Sequence, residues 1–264
     1  MAYPSVPAPY GLKPVNLIGG QVFAGATRNF PIANGSATAI YNGDAVKIQS
    51  DGTVTKDTGT ATASPVGIFV GCYYTNPSTN QRIWQQYYPG GVTSPVLPAG
   101  DITAVVVEDP DTVFKVAAVT SGTTMTAIGQ YAIGQNAALV QNTGSTVTGD
   151  SAVAINGVTT TLSLPVRIIQ GVPDTALSAS QTATTNSTTV VTLSAANANI
   201  YVGMQVYGTG IPAGAYVASV SGTTVNLSAA ATTSTTQTLT FAGFTELLCK
   251  WNFGTHQYLQ ATGV

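Results

Sequence analysis

The sequence predicts an all-β protein, and three observations carry that prediction. Short runs of β-branched and aromatic residues recur along the 264-residue chain, bounded by Gly, Pro, Asn and Asp. Turn signals separate them: Asn34-Gly35, Asn42-Gly43, Asp51-Gly52, Pro89-Gly90-Gly91, Ala99-Gly100-Asp101, Asp109-Pro110 and Asn156-Gly157. No amphipathic helical pattern of ten residues interrupts them.

The N-terminal stretch Met1–Tyr10 lacks a basic region and an apolar core, so it does not read as a secretory signal. Its prolines Pro4, Pro7 and Pro9 fix φ and remove amide donors, which favours an extended arm over residues 1–26. Such an arm cannot pack on itself. Tyr3, Tyr10, Leu12, Leu17, Phe23 and Phe30 are therefore the candidate contacts to another surface, on this chain or a neighbour.

A β body is expected over 27–174 and 245–264. Its strands are read at Arg28–Ala33, Ala37–Tyr41, Ala45–Ile48, Thr53–Lys56, Val66–Tyr74, Arg82–Tyr88, Ile102–Glu108 and Thr112–Ala117. Ala138–Gln141, Ser151–Ile155, Thr160–Gly171 and Leu247–Asn252 follow. Gly43-Asp44-Ala45-Val46 and Gly149-Asp150-Ser151-Ala152-Val153 echo each other, each setting a carboxylate in a turn before a strand, where Asp caps backbone amides.

Between Thr175 and Thr245 there is no Lys, Arg, Asp, Glu or His. Ser, Thr, Gly and Ala dominate, with Val and Leu spaced among them, and strands are read at Ser187–Leu193, Gly203–Tyr207, Ala215–Val220, Thr223–Leu227 and Thr236–Phe241. Five strands of this length suit a small β-sandwich or barrel. Charged sequence resumes at Glu246 and Lys250, so residues 175–244 read as a module inserted in a body strand connection.

Composition narrows the function. The 8 basic and 10 acidic residues are 7% of the chain, against roughly 25% for an ordinary globular protein. A net charge of −2 with no Lys/Arg run offers no face for nucleic acid. The longest apolar runs, such as Pro65–Tyr74, fall short of the ~20 residues of a spanning helix, so no membrane insertion is expected.

Chemistry is sparse. The single histidine, His256, lies in no nucleophile context. Glu108-Asp109-Pro110-Asp111 reads as a solvated turn, since adjacent carboxylates do not straddle a sugar and lack calcium-loop spacing. Cys72 and Cys249 sit in apolar runs without zinc spacing and read as buried thiols. Gly208, Gly210 and Gly214 miss the phosphate-loop spacing. No enzyme activity and no cofactor are expected. Trp84, Tyr87, Tyr88, Tyr73 and Tyr74 are either sheet core or a platform for sugar or protein, and the alternation in Arg82–Tyr88 points them both ways.

The phrases Pro9-Tyr10-Gly11-Leu12-Lys13-Pro14-Val15-Asn16, Arg28-Asn29-Phe30-Pro31-Ile32-Ala33, Tyr41-Asn42-Gly43-Asp44-Ala45-Val46 and the closing Lys250-Trp251-Asn252 to His256-Gln257 resemble head decoration or cement proteins of tailed bacteriophages. The likeness covers most of residues 9–174 and 245–258. Val202-Gly203-Met204 to Gly208-Thr209-Gly210-Ile211-Pro212-Ala213-Gly214, continuing through Ser228, is similar to an Ig-like β module of phage virion proteins. The resemblance implies a β-barrel or jelly-roll-like body bound as a homotrimer to the major capsid protein on the outer surface of the capsid. The Ig-like module would then face solvent, with a host-surface glycan as its possible ligand. The alternative is a tail-fibre or receptor-binding adhesin of the virion.

Overall fold

The computed structural model describes residues 6–94 and 101–263. The chain is all-β, as predicted: among the described residues the helical elements are three-residue 3-10 turns at Gln130–Ala132, Pro173–Thr175 and Gln257–Leu259. Among the described residues no helix is long and apolar enough to cross a membrane.

The first strands are β1 (Lys13–Leu17), β2 (Arg28–Pro31), β3 (Ala45–Ile48), β4 (Val54–Lys56), β5 (Gly67–Thr75), β6 (Arg82–Gln85) and β7 (Thr103–Val107). Next come β8 (Thr112–Ala117), β9 (Val119–Ser121), β10 (Thr124–Met125), β11 (Asn136–Val140), β12 (Ala154–Thr159) and β13 (Val166–Gly171). The uncharged segment supplies β14 (Ala176–Asn186), β15 (Val190–Leu193), β16 (Gln205–Tyr207), β17 (Val217–Ser221), β18 (Thr224–Leu227) and β19 (Ser234–Phe244), and β20 (Glu246–Trp251) follows it.

Among the described residues the body holds two six-stranded antiparallel sheets and a two-stranded pair, β9 with β10. In the first, the order is β1-β8-β20-β13-β11-β12, and a parallel bridge from Ala118 to Ile155 brings β12 back beside the chain leaving β8. This rolled sheet encloses Phe114, Val116, Leu139, Ile155, Ile168, Leu247 and Trp251. Phe114 and Trp251 meet with ring centroids 5.3 Å apart. The second sheet runs β2-β7-β5-β3-β4, with β6 on the remaining edge of β5, over a core of Phe30, Ile40, Phe69, Tyr88 and Ile102.

β5 belongs to both cores. Ile68 faces the first and Phe69 the second, as alternation demands. A bulge between Phe69 and Gly71 then adds one residue opposite β7, so Cys72 and Tyr74 stay on the second core while Gly71 and Tyr73 turn outward. The strand expected at Ala37–Tyr41 is reduced to one bridge, Ile40 to Tyr88.

The module is a single six-stranded sheet in the order β16-β19-β14-β15-β18-β17. Its two edges meet: Gln205 bridges Tyr216, and the Val206 amide donates to Ala215 at 2.9 Å. Of the small β-sandwich or barrel expected of this segment, the structure has a rolled, edge-closed sheet around Val191, Val206, Val217, Leu239 and Phe241. The longest strand pair, β14 with β19, is in register over eleven residues, and β14 is a sixth strand beyond the five read from sequence.

The N-terminal segment departs most from expectation. Residues 9–17 form no free arm, because β1 pairs with β8 and Leu12 is fully buried in the first core. The extended conformation that prolines impose is already that of an edge strand, whose unpaired amides tolerate Pro14.

Candidate functional site

The two echoing Gly-Asp turns meet, and they hold the N-terminal segment between them. The Asn42 amide donates to Gly149 (3.0 Å) and the Ser151 amide to Asn42 (2.9 Å). Into this pair runs Gly11, whose amide donates to Val153 (3.1 Å), while the Leu12 amide donates to Gly43 (3.0 Å). Gly11 has φ +83°, and a Cβ there would meet the Ser151 Cβ at 2.7 Å. Only glycine suits that position.

Charges lock the junction. Asp44, fully buried, accepts from the Tyr41 amide (2.9 Å), Ser151 Oγ (2.6 Å) and Lys56 Nζ (3.0 Å). Lys13 Nζ lies 2.9 Å from Asp150 Oδ1 and 2.6 Å from Asn42 Oδ1. A buried charge persists only when paired and hydrogen-bonded in this way. Asp44 is therefore structural, and the part-exposed Asp150 ties Lys13 and Gln86 together at the surface of the junction.

The sequence-predicted contact residues are mostly occupied within the chain. Tyr3 lies outside the described residues. The Tyr10 hydroxyl donates to Glu246, and Lys115 Nζ, 3.2 Å from Glu246, sits 5.6 Å from the centre of the Tyr10 ring. Burial first, and then the Glu246 carboxylate, push the Tyr10 pKa well above its ordinary value. Leu12 and Phe30 are core residues, Phe23 packs on the first core, and Leu17 is half-buried on β1. The surface left over is a ribbon, residues 14–27, that carries no charge between Lys13 and Arg28. It exposes Val15, Ile18 and, at 81%, Val22.

The polar candidates are also engaged. Glu108 accepts from Tyr258 Oη (2.9 Å) and pairs with Arg28 (3.4 Å), and Asp111 pairs with Lys250 (3.0 Å). Asp109 accepts from the Asp111 amide (2.8 Å). His256 is fully buried, its Nδ1 accepting from the Tyr258 amide at 3.3 Å, and burial lowers its pKa below the ordinary 6.5. Cys72 and Cys249 are free buried thiols whose pKa values burial pushes up to about 12. Among the described residues no three His, Cys, Asp or Glu gather as metal ligands.

The aromatic cluster divides between core and surface, and the strand expected over Arg82–Tyr88 ends at Gln85. Tyr74 and Tyr88 are buried in the second core, and Tyr87 stacks on Tyr41 with centroids 5.5 Å apart. Tyr73 and Trp84, a cross-strand pair of β5 and β6, point outward with centroids at 4.6 Å and exposures of 39% and 46%. A methyl at Gly71 would run into Cη2 and Cζ2 of the Trp84 indole, so the ring lies against bare backbone. Arg82 lies over Tyr73 at 5.8 Å and pairs with Asp101 at 3.3 Å. Burial, which raises the Asp101 pKa, is outweighed by hydrogen bonds from Ser94 and Thr75 and by the Arg82 charge, so its carboxyl sits below the usual range.

Body and module share a seam. Ala127 belongs to the module's core, Ile128 and Phe244 exchange backbone hydrogen bonds of 2.9 and 2.8 Å, and Thr126 Oγ1 donates to Val202 at 2.8 Å. Tyr131 stacks on Tyr216 with centroids 4.3 Å apart, beside a cavity of about 330 Å³ lined by Thr120, Thr126, Asn156 and Val202 among others. Sequence reading gave no sign of this seam, because Thr126–Tyr131 has neither charge nor strand alternation. Comparison with protein-family models, with curated proteins and with solved structures finds no match to the chain.

Proposed function

We propose that this chain is a capsid decoration or cement protein of a tailed-bacteriophage virion, bound to the major capsid protein on the outer surface of the head. In this reading it acts as a homotrimer that ties neighbouring capsomers together, with the module turned to solvent. The observation that carries the reading is the uncharged ribbon 14–27. It is fastened at one end by the Lys13–Asp150 pair and at the other by Arg28 with Glu108, and it exposes Val15, Ile18 and Val22 between them. Apolar side chains held out on a fastened ribbon gain free energy by being covered, and they lose little conformational entropy when they are.

The test is occupancy on purified heads stripped of this protein. Val22→Asp places a charge where a contact would dehydrate it, and at least about tenfold weaker binding with unchanged folding is expected. Wild-type occupancy by a folded Val22→Asp protein would refute the assignment. The second reading, a receptor-binding adhesin, is favoured by the outward Tyr73–Trp84 pair.

A further inference from the structure

We propose that the outer face of β5 and β6 is a carbohydrate-binding site, with Trp84 as the platform for the apolar face of a hexopyranose in a neutral oligosaccharide. The site stands on the body, not on the inserted module, and it deepens the adhesin reading while leaving the capsid reading independent.

The bulge in β5 creates the face. Before it, both sides of the strand are covered by core; after it, one side is free, and Gly71, Tyr73 and Trp84 occupy that side. The indole is set before any ligand arrives. It lies against the Gly71 backbone, Tyr73 packs at its edge at 4.6 Å, and Tyr73 is held by Arg82, itself tethered to Asp101. An aromatic plane fixed in this way costs little ordering on binding.

The chemistry of the surround selects the ligand. The guanidinium of Arg82, 57% exposed, pairs with the nearly buried Asp101 carboxylate at 3.3 Å, so the pair adds no net charge to the patch. Gln86 stands nearby on the same chain segment, its amide donating to Asp150 at 3.1 Å. A flat aromatic surface without net charge complements the apolar face of a sugar ring, which presents C–H bonds there and hydroxyls at its rim.

The two tryptophans make the test direct. Trp251 is 2% exposed and Trp84 46%, so quenching of fluorescence by acrylamide reports chiefly on Trp84. The full-length protein is titrated with maltohexaose, cellohexaose, chitohexaose and mannohexaose, one at a time. At least one is expected to protect Trp84 from acrylamide and shift its emission to the blue. Trp84→Ala should bind that sugar about tenfold more weakly or worse, with circular dichroism unchanged. Gly71→Ala keeps the indole but displaces it, and it should weaken binding to a similar degree. Absence of protection by all four sugars overturns the proposal, as does wild-type affinity in Trp84→Ala. Head occupancy measured on the same Trp84→Ala protein should be unchanged, which separates this site from the capsid contact.

Discussion

At the scale of single residues, most of the chain's few charged groups are held in ion pairs within the chain. Gly11 is constrained instead by sterics, since the Cβ added by Gly11→Ala would meet both a positive φ and Ser151. A loss of about 1–3 kcal/mol is expected, read as a lower urea midpoint with unchanged m-value. His256 gives a pH dependence with a definite sign. Burial lowers its folded pKa below the unfolded 6.5, so the unfolded chain binds the proton more readily. The two states bind it equally above about pH 7, and stability falls as pH drops through 6.5 toward the folded pKa. Melting temperature measured from pH 8 to pH 5 should therefore decline in the wild type, and the decline should flatten in His256→Gln. The hydrogen-bonded Asp101, with its lowered pKa, adds a separate loss that begins only near the ordinary carboxylate range, well below the histidine window.

At the scale of elements, β1 decides what the N-terminus can do. Leu12 fills the first core and Lys13–Leu17 closes the edge of β8, so Leu12→Ala should cost about 2–5 kcal/mol. Removing residues 1–17 should abolish cooperative melting. Strands rich in β-branched and aromatic residues, such as β5, β7 and β8, are legible in the sequence as short apolar runs that are buried along most of their length. The opposite facing of the neighbours Tyr73 and Tyr74 is legible from alternation, whereas that of Trp84 and Tyr88 is not, because alternation would put those two on one face and β6 ends at Gln85 before Tyr88 enters the core. β14 is not legible: Ala176–Asn186 holds one large apolar residue, Leu177, and is specified by its ladder to β19, whose partners lie from 48 (Asn186 with Ser234) to 68 (Ala176 with Phe244) residues away in sequence. The start of β15 is misplaced because Ser187 takes φ +53° to turn the hairpin, delaying the strand to Val190. The clasp around Gly11 is half legible, since the Gly-Asp echo is visible but its pairing with the N-terminal segment depends on three distant stretches.

At the scale of the whole molecule, body and module are joined by more than two chain crossings. Ala127 lies in the module's core, and Ile128 and Tyr131 are covered from the module side. Replacing residues 175–244 by a short Gly/Ser loop should therefore yield a body that self-associates in size-exclusion chromatography. The same deletion carrying Ile128→Thr and Tyr131→Thr should elute closer to the undeleted species. The module's exterior has a further consequence. Thr184 meets Thr236 at 2.9 Å and Ser187 meets Ser234 at 3.0 Å, hydroxyl against hydroxyl, along a barrel wall with nothing to ionise at neutral pH. Its outer potential is therefore nearly indifferent to acid and to salt, and its solubility rests on hydration of hydroxyls in place of mutual repulsion. Wherever this barrel is turned outward, it forms a coat to which polyions and charged surfaces find nothing to adhere.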